Sequence, residues 1–258
     1  MPNEATPADS VRASVLDALR AAVAGPASVG ALVLPFGLSE LDCRLAGGGI
    51  DGAGLHEFAA ASPAMGDDAA ATLFVTGIAA RFARRADAHI AWALTRFDLY
   101  APGIEQAGLP AEKLLYLQGK DETEVLALAE DALRERCFAA VIAEVKVADP
   151  AAGRRLQLAA ADSRTPMLLL RRWVRSVRDP LERPSAAMTR WRIACAPSVP
   201  LPAPGVGRGC WAIELVRQRN GNPFSIMLEA CDDTGRLALP AAAPDRAPAQ
   251  AGAASRAA

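Results

Sequence analysis

The chain has 258 residues, of which 52% are hydrophobic, 22% charged and 5% aromatic, with a formal net charge of −1. That apolar content is enough for a core. The length allows one large domain or one domain with a small partner; no run of about 18 apolar residues suggests a membrane span, and Met1-Pro-Asn-Glu-Ala-Thr-Pro does not resemble a secretory leader, so the expectation is a cytoplasmic protein.

Five cysteines, Cys43, Cys137, Cys195, Cys210 and Cys231, form no CxxC pair, and only His56 and His89 could join them at a metal. This disfavours a zinc site and a disulfide framework, leaving the cysteines as small buried hydrophobes. The near-neutral total hides an asymmetry. Between Arg154 and Arg219 stand 13 Arg, no Lys and 4 acids, a local charge of +9 against −10 for the remainder. An arginine-only block of this kind suits a polyanion or an acidic partner.

Along the chain, Val11, Val15, Leu19 and Val23 mark an amphipathic helix over 10–24, capped by Ser10 and ended by Gly25-Pro26. After a glycine cluster at 47–54, residues 55–59 read as a strand and 67–85 as a long Ala-rich helix. The alternation continues: strand 89–94, short helix 101–108, strand 113–117, helix 122–136, strand 138–145, helix 150–163, strand 166–170. This cadence predicts an α/β fold with a mostly parallel sheet and helices on both faces. The polar side of helix 150–163, with Arg154, Arg155 and Gln157, reads as solvated. Strands follow at 191–196, 210–219 and 224–230, the last two joined across Arg219-Asn220-Gly221-Asn222, where Asn-Gly suits a type I′ turn and a C-terminal antiparallel hairpin. Residues 240–258, rich in Ala and Pro, read as a disordered tail.

Gly47-Gly48-Gly49-Ile50-Asp51-Gly52 spells GxGxxG, but it precedes a strand instead of following one, which excludes a dinucleotide fingerprint. A phosphate loop belongs between strand 55–59 and helix 67–85. A working loop there needs GxxxxGK[ST], its Lys neutralising phosphate and its hydroxyl holding magnesium. Here Gly66 is followed by Asp67 and Asp68, which repel a triphosphate and instead complement the helix N-terminus.

The segments 34–42 (LPFGLSELD), 45–50 (LAGGGI) and 54–57 (GLHE) resemble the entry into a RecA core. Together with 97–103, 154–160, 170–173, 189–192 and 228–232, in this order, they resemble the ImuA family of RecA-like accessory proteins of mutagenic translesion synthesis, over roughly residues 30–240. The resemblance implies a RecA-like domain over 31–239 behind an N-terminal helix and linker (1–30). It also implies a nucleoid-associated location and a role in the SOS-type DNA damage response. The implied partners are a Y-family-like polymerase subunit (ImuB), an error-prone replicative-type polymerase and single-stranded DNA or a recombinase filament.

Set against that family, the loop Gly66, Asp67, Asp68 is degenerate. Arg96 falls near the position of a catalytic glutamate and cannot serve as a base. Glu144 takes the place of the acid at the end of strand 138–145, either as a vestige or paired with a neighbouring arginine at the sheet edge. The expectation is a protein without catalytic residues, cofactor or metal. Arg171, Arg172, Trp173, Arg175, Arg178 and Arg183, with Arg190 and Arg192, are the candidate contacts to DNA or a partner: guanidiniums for phosphates, Trp173 for stacking on a base. Trp191 alternates with its arginine neighbours and reads as core. A DNA-dependent ATPase and a cell-division inhibitor acting by protein binding are the alternatives.

Overall fold

The computed structural model describes residues 33–173, 179–199, 205 and 207–240. The expected N-terminal helix over 10–24 and the expected tail beyond 240 lie outside the described residues. Among the described residues ten strands run in chain order: β1 (Val33–Leu34), β2 (Ile50–Asp51), β3 (Leu55–Ala60), β4 (His89–Leu94), β5 (Leu114–Gln118), β6 (Phe138–Val145), β7 (Met167–Arg171), β8 (Thr189–Ala196), β9 (Cys210–Gln218) and β10 (Phe224–Glu229). The helices are α1 (Ser39–Asp42), α2 (Met65–Ala86), α3 (Ala101–Gln106), α4 (Glu122–Glu135) and α5 (Pro150–Ser163).

The main sheet has the order β10-β9-β8-β3-β7-β6-β4-β5. The strands from β8 to β5 are mutually parallel, and β9 and β10 add antiparallel to β8, so the α/β reading with a C-terminal hairpin holds. β1 and β2 pair as a separate two-stranded antiparallel sheet that the sequence pattern did not reveal, two residues per strand being too short to show alternation.

Strand alternation divides the core in two. Phe58, Trp191, Ile193, Ile142 and Leu170 face α2 and pack with Phe36 and Phe74; Val141, Leu169 and Leu55 face α4 and α5 and pack with Val125, Leu133 and Leu156. Trp191 is fully buried, with ring centroids 5.8 Å from Phe74 and 5.9 Å from Phe36. α4 begins at a cap: Asp121 accepts from the Glu124 backbone N–H at 2.9 Å, and Glu124 accepts in return from the Lys120 N–H at 2.8 Å.

Three local expectations change. The β9–β10 turn is not type I′, because Asn220 alone has positive φ (60°) and Gly221 does not. The Gln218 side chain holds the turn instead. Its amide donates to the Asn222 carbonyl at 2.6 Å and the Arg44 carbonyl at 2.9 Å, while its oxygen accepts from the Ala46 N–H at 2.9 Å. A Cβ at 221 would come 2.5 Å from Gln218 Cδ, so any other residue there would have to push this amide aside. Nor are the cysteines uniformly core. Cys43 and Cys195 are exposed and only Cys210 is buried, since most of the five lie at or beyond element ends. Gln157 is not merely solvated either, because its side-chain oxygen accepts from the Leu55 N–H at 2.8 Å and so ties α5 to β3.

His56 on β3 is fully buried. Its Nε2 donates to the Asp51 carbonyl at 2.8 Å, so Nδ1 is left to accept from the Thr189 hydroxyl at 2.7 Å, and Thr189 in turn accepts from Trp191 Nε1 at 2.6 Å. Burial lowers the His56 pKa from 6.5 to about 4, against the pull of the Asp51 carbonyl and carboxylate. The unfolded chain therefore takes up a proton that the fold refuses. The contribution is full above pH 6.5 and falls away as pH drops toward 4, by about 3 kcal/mol in all. Urea unfolding at pH 7, 5.5 and 4 should show this loss, and His56→Gln should flatten it. An unchanged pH slope in the variant would refute the assignment.

Candidate functional site

The parallel strands β3, β7, β6 and β4 end on one side of the sheet, the side on which open α/β sheets bind ligands. The loop from β3 to α2 lies there, and its acids are engaged inside the protein. Asp67 accepts from the Ser62 hydroxyl at 2.6 Å and from the Cys195 backbone N–H at 2.8 Å, linking the start of α2 to the end of β8. Asp68 meets Arg172 at 2.9 Å.

Arg172, just past β7, is the centre of the site. One terminal nitrogen, Nη1, reaches both Asp68 and the Thr72 hydroxyl, the latter at 2.8 Å. The other side of the guanidinium grips Glu144 Oε2, with Nε at 2.9 Å and Nη2 at 2.8 Å. The remaining oxygen of Glu144 accepts from Trp92 Nε1 at 2.8 Å. Burial pushes the Glu144 carboxyl above the usual carboxylate range, while Arg172 and Trp92 draw it back. For Arg172 burial works against the charge, and Glu144 and Asp68 outweigh it, so its pKa stands above the ordinary value. Glu144 does pair with a neighbouring arginine, Arg172. Arg96, past the end of β4, is exposed and pairs with Asp98 at 3.3 Å.

A second ionic cluster lies within the sheet on the face toward α5. Glu57 of β3 takes Arg171 Nη1 on one oxygen at 3.3 Å and Arg190 Nε on the other at 2.8 Å, and it also accepts from the Ser185 hydroxyl at 2.8 Å. All three charged side chains are below a tenth exposed. Arg171 Nε and Arg190 Nη2 are buried without a partner among the described residues. Burial pulls the Arg171 pKa below its ordinary value.

The expected contact residues thus separate into groups. Arg171 and Arg190 are interior, and their charge meets Glu57 and not a surface ligand. Arg172 is largely enclosed by Asp68 and Glu144. Arg192 is held by Asp179 and Glu214, which together keep its pKa above the ordinary value despite partial burial. Trp173 is half-buried and donates its indole N–H to the Ala60 carbonyl at 2.8 Å. Arg183 is exposed, and Arg175 and Arg178 lie outside the described residues.

Sequence reasoning missed Glu57, Thr72 and Trp92. The signal for Glu57 was a lone carboxylate inside an otherwise apolar strand, which must find a cation when buried.

No protein-family profile matches the chain. Two curated proteins do, both named Protein ImuA, from Caulobacter vibrioides strains NA1000 / CB15N and ATCC 19089 / CB 15. Each is 38% identical over 203 residues, covering 77% of this chain and 83% of the relative. Identity at that level, sustained over most of both chains, shows common descent: the chain belongs to the ImuA family.

Proposed function

We propose that this chain is a non-catalytic accessory protein of the DNA damage response, supporting error-prone translesion synthesis by binding single-stranded DNA and a Y-family-like polymerase subunit. The observation that carries the reading is the closed ionic site. At the strand ends Asp67, Asp68 and Glu144 are already engaged by groups of the chain itself, and no lysine stands in the β3–α2 loop. Membership of the ImuA family supports the mutagenesis context. Exposed Met65, Phe97, Tyr100 and Val147 follow the ends of β3, β4 and β6 and support the protein-binding half, since exposed apolar and aromatic side chains mark interfaces.

In this reading DNA binding falls to Arg175, Arg178 and Arg183, because Arg171, Arg172, Arg190 and Arg192 already meet acids of the chain itself. The test is fluorescence anisotropy of a labelled single-stranded oligonucleotide across a salt series. Binding should weaken steeply with salt, and charge reversal at Arg175, Arg178 and Arg183 together should lower the slope of log K on log salt by about 2, at roughly 0.7 for each phosphate left without its arginine. Absence of binding at low salt would remove DNA from the function and leave the partner-binding half, which pull-down with the polymerase subunit tests separately.

A further inference from the structure

We infer that the N-terminal segment 10–24 docks, within its own chain, on the open face of β8, β9 and β10. On the α4–α5 side of the main sheet, those two helices cover β3, β4, β6 and β7. Beyond β3 the same face carries a groove of about 400 Å³. Its lining residues all belong to β8, β9, β10 or the turn after β3, and none comes from a helix. The floor is apolar, made by Ala61, Ala194, Ala212 and Met227, the last of them 46% exposed. Alternation sends their neighbours Trp211, Ile213 and Leu228 to the other face, into the core that packs on α2. This three-stranded unit is thus packed on one side and, among the described residues, uncovered on the other.

The occupant is argued from the chain itself. Residues 10–24 lie outside the described residues, but their sequence carries an apolar stripe, Val11, Val15, Leu19 and Val23, that calls for a surface. As a helix the stripe is about 18 Å long, close to the roughly 20 Å of a strand such as β10. The chain also enters the fold beside this unit. Shortly after β1, Arg44 Nη1 donates to the carbonyl of Ser225, a groove residue, at 3.3 Å, and the Ala46 N–H donates to Gln218 of β9 at 2.9 Å. Residues 25–32 extend to about 26–29 Å, more than twice the roughly 10 Å between packed layers, so the segment can pass around β10 to the open face. A tether this short gives an effective concentration in the mM range, which favours the chain's own segment over that of a second copy.

The charges match as well. At the groove wall Arg192 stands between Asp179 and Glu214, a net −1, and the Glu214 side chain is 44% exposed. The segment carries Arg12 and Arg20 against Asp17, a net +1. At helical spacing Arg12 falls with the stripe, Arg20 at its border and Asp17 opposite it. The inference does not rest on DNA or polymerase binding.

Hydrogen–deuterium exchange on the full-length chain tests it. Amides of 11–24 should exchange about tenfold or more slowly than in a free peptide of residues 1–30. Met227→Asp, which puts a charge on the groove floor, should return them to the peptide rate while the amides of β3 and β6 stay protected. Leu19→Asp keeps the test readable should Met227→Asp fail to fold, because it alters only the segment; it should speed exchange at 225–227. Peptide-like exchange of 11–24 in the wild type would overturn the inference. So would protection that survives Met227→Asp in a folded chain, or exchange at 225–227 that ignores Leu19→Asp. Protection that grows with protein concentration, together with a dimer mass by light scattering, would assign the groove to a second copy and overturn docking within one chain.

Discussion

Glu57→Ala should destabilise the protein by about 3–5 kcal/mol, the largest effect of any single ionic substitution in the chain. The reason is what remains. Arg171 and Arg190 stay buried in the sheet, 4% and 6% exposed, with their shared counter-charge gone. Arg171 keeps only the Lys146 carbonyl, at 3.3 Å, and two guanidinium nitrogens that already lack partners are joined by others. The urea midpoint should fall sharply with the m-value unchanged if unfolding stays two-state. The triple replacement of Glu57, Arg171 and Arg190 by Leu, Met and Met should recover most of the loss, because an apolar cluster of similar volume carries no desolvation cost. A triple variant as unstable as Glu57→Ala would show that packing, not uncompensated charge, governs the site.

Trp191→Ala, on β8 and the opposite face of the sheet, should cost about 3–5 kcal/mol. Its ring stands among Phe36, Phe58, Phe74 and Phe224, with centroids 5.8–6.4 Å away, so truncation opens a cavity bounded by rigid rings that close in poorly. The same change removes the indole donor to Thr189, the hydroxyl that fixes His56. Trp191→Phe keeps the apolar packing and gives up only that donor and some volume, so its cost should be clearly smaller. Near-equal losses for the two variants, measured by chemical denaturation, would mean that the hydrogen bond outweighs the packing.

These two sites show where sequence reading succeeds and where it stops. Trp191 was legible as core because strand alternation is local: residues 190, 191 and 192 must point in turn to opposite faces. The helices and strands from 55 to 170 were legible for the same reason, each carrying its own apolar period. The arginines were not, because charge counted along a chain is blind to acids that arrive from elsewhere. The counter-charges of Arg171 and Arg190 lie 114 and 133 residues upstream at Glu57, and that of Arg172 lies 28 residues away at Glu144. The block from 154 to 219 carries +9, yet part of that excess is neutralised by Glu57, Asp68 and Glu144, all outside it. The hairpin at 219–222 was half legible. The turn was visible in Asn-Gly, but its geometry is set by Gln218 and its hydrogen bonds to Arg44 and Ala46.

The strand order also bears on synthesis. β3 is the first strand of the main sheet to be made, yet it lies between β7 and β8, two later ones. At about 5–20 residues per second, the 133 residues separating Glu57 from Arg190 take roughly 7–27 s to translate. Until β7 follows, 114 residues after Glu57, the apolar strand has both edges open, and its β8 edge stays open for the whole interval, a ready template for pairing with the wrong chain. Its central carboxylate, still without a cation, is then a gatekeeper that makes such pairing unfavourable. The same side chain that guards the nascent strand against aggregation becomes, once Arg171 and Arg190 emerge, the post to which the finished sheet is tied.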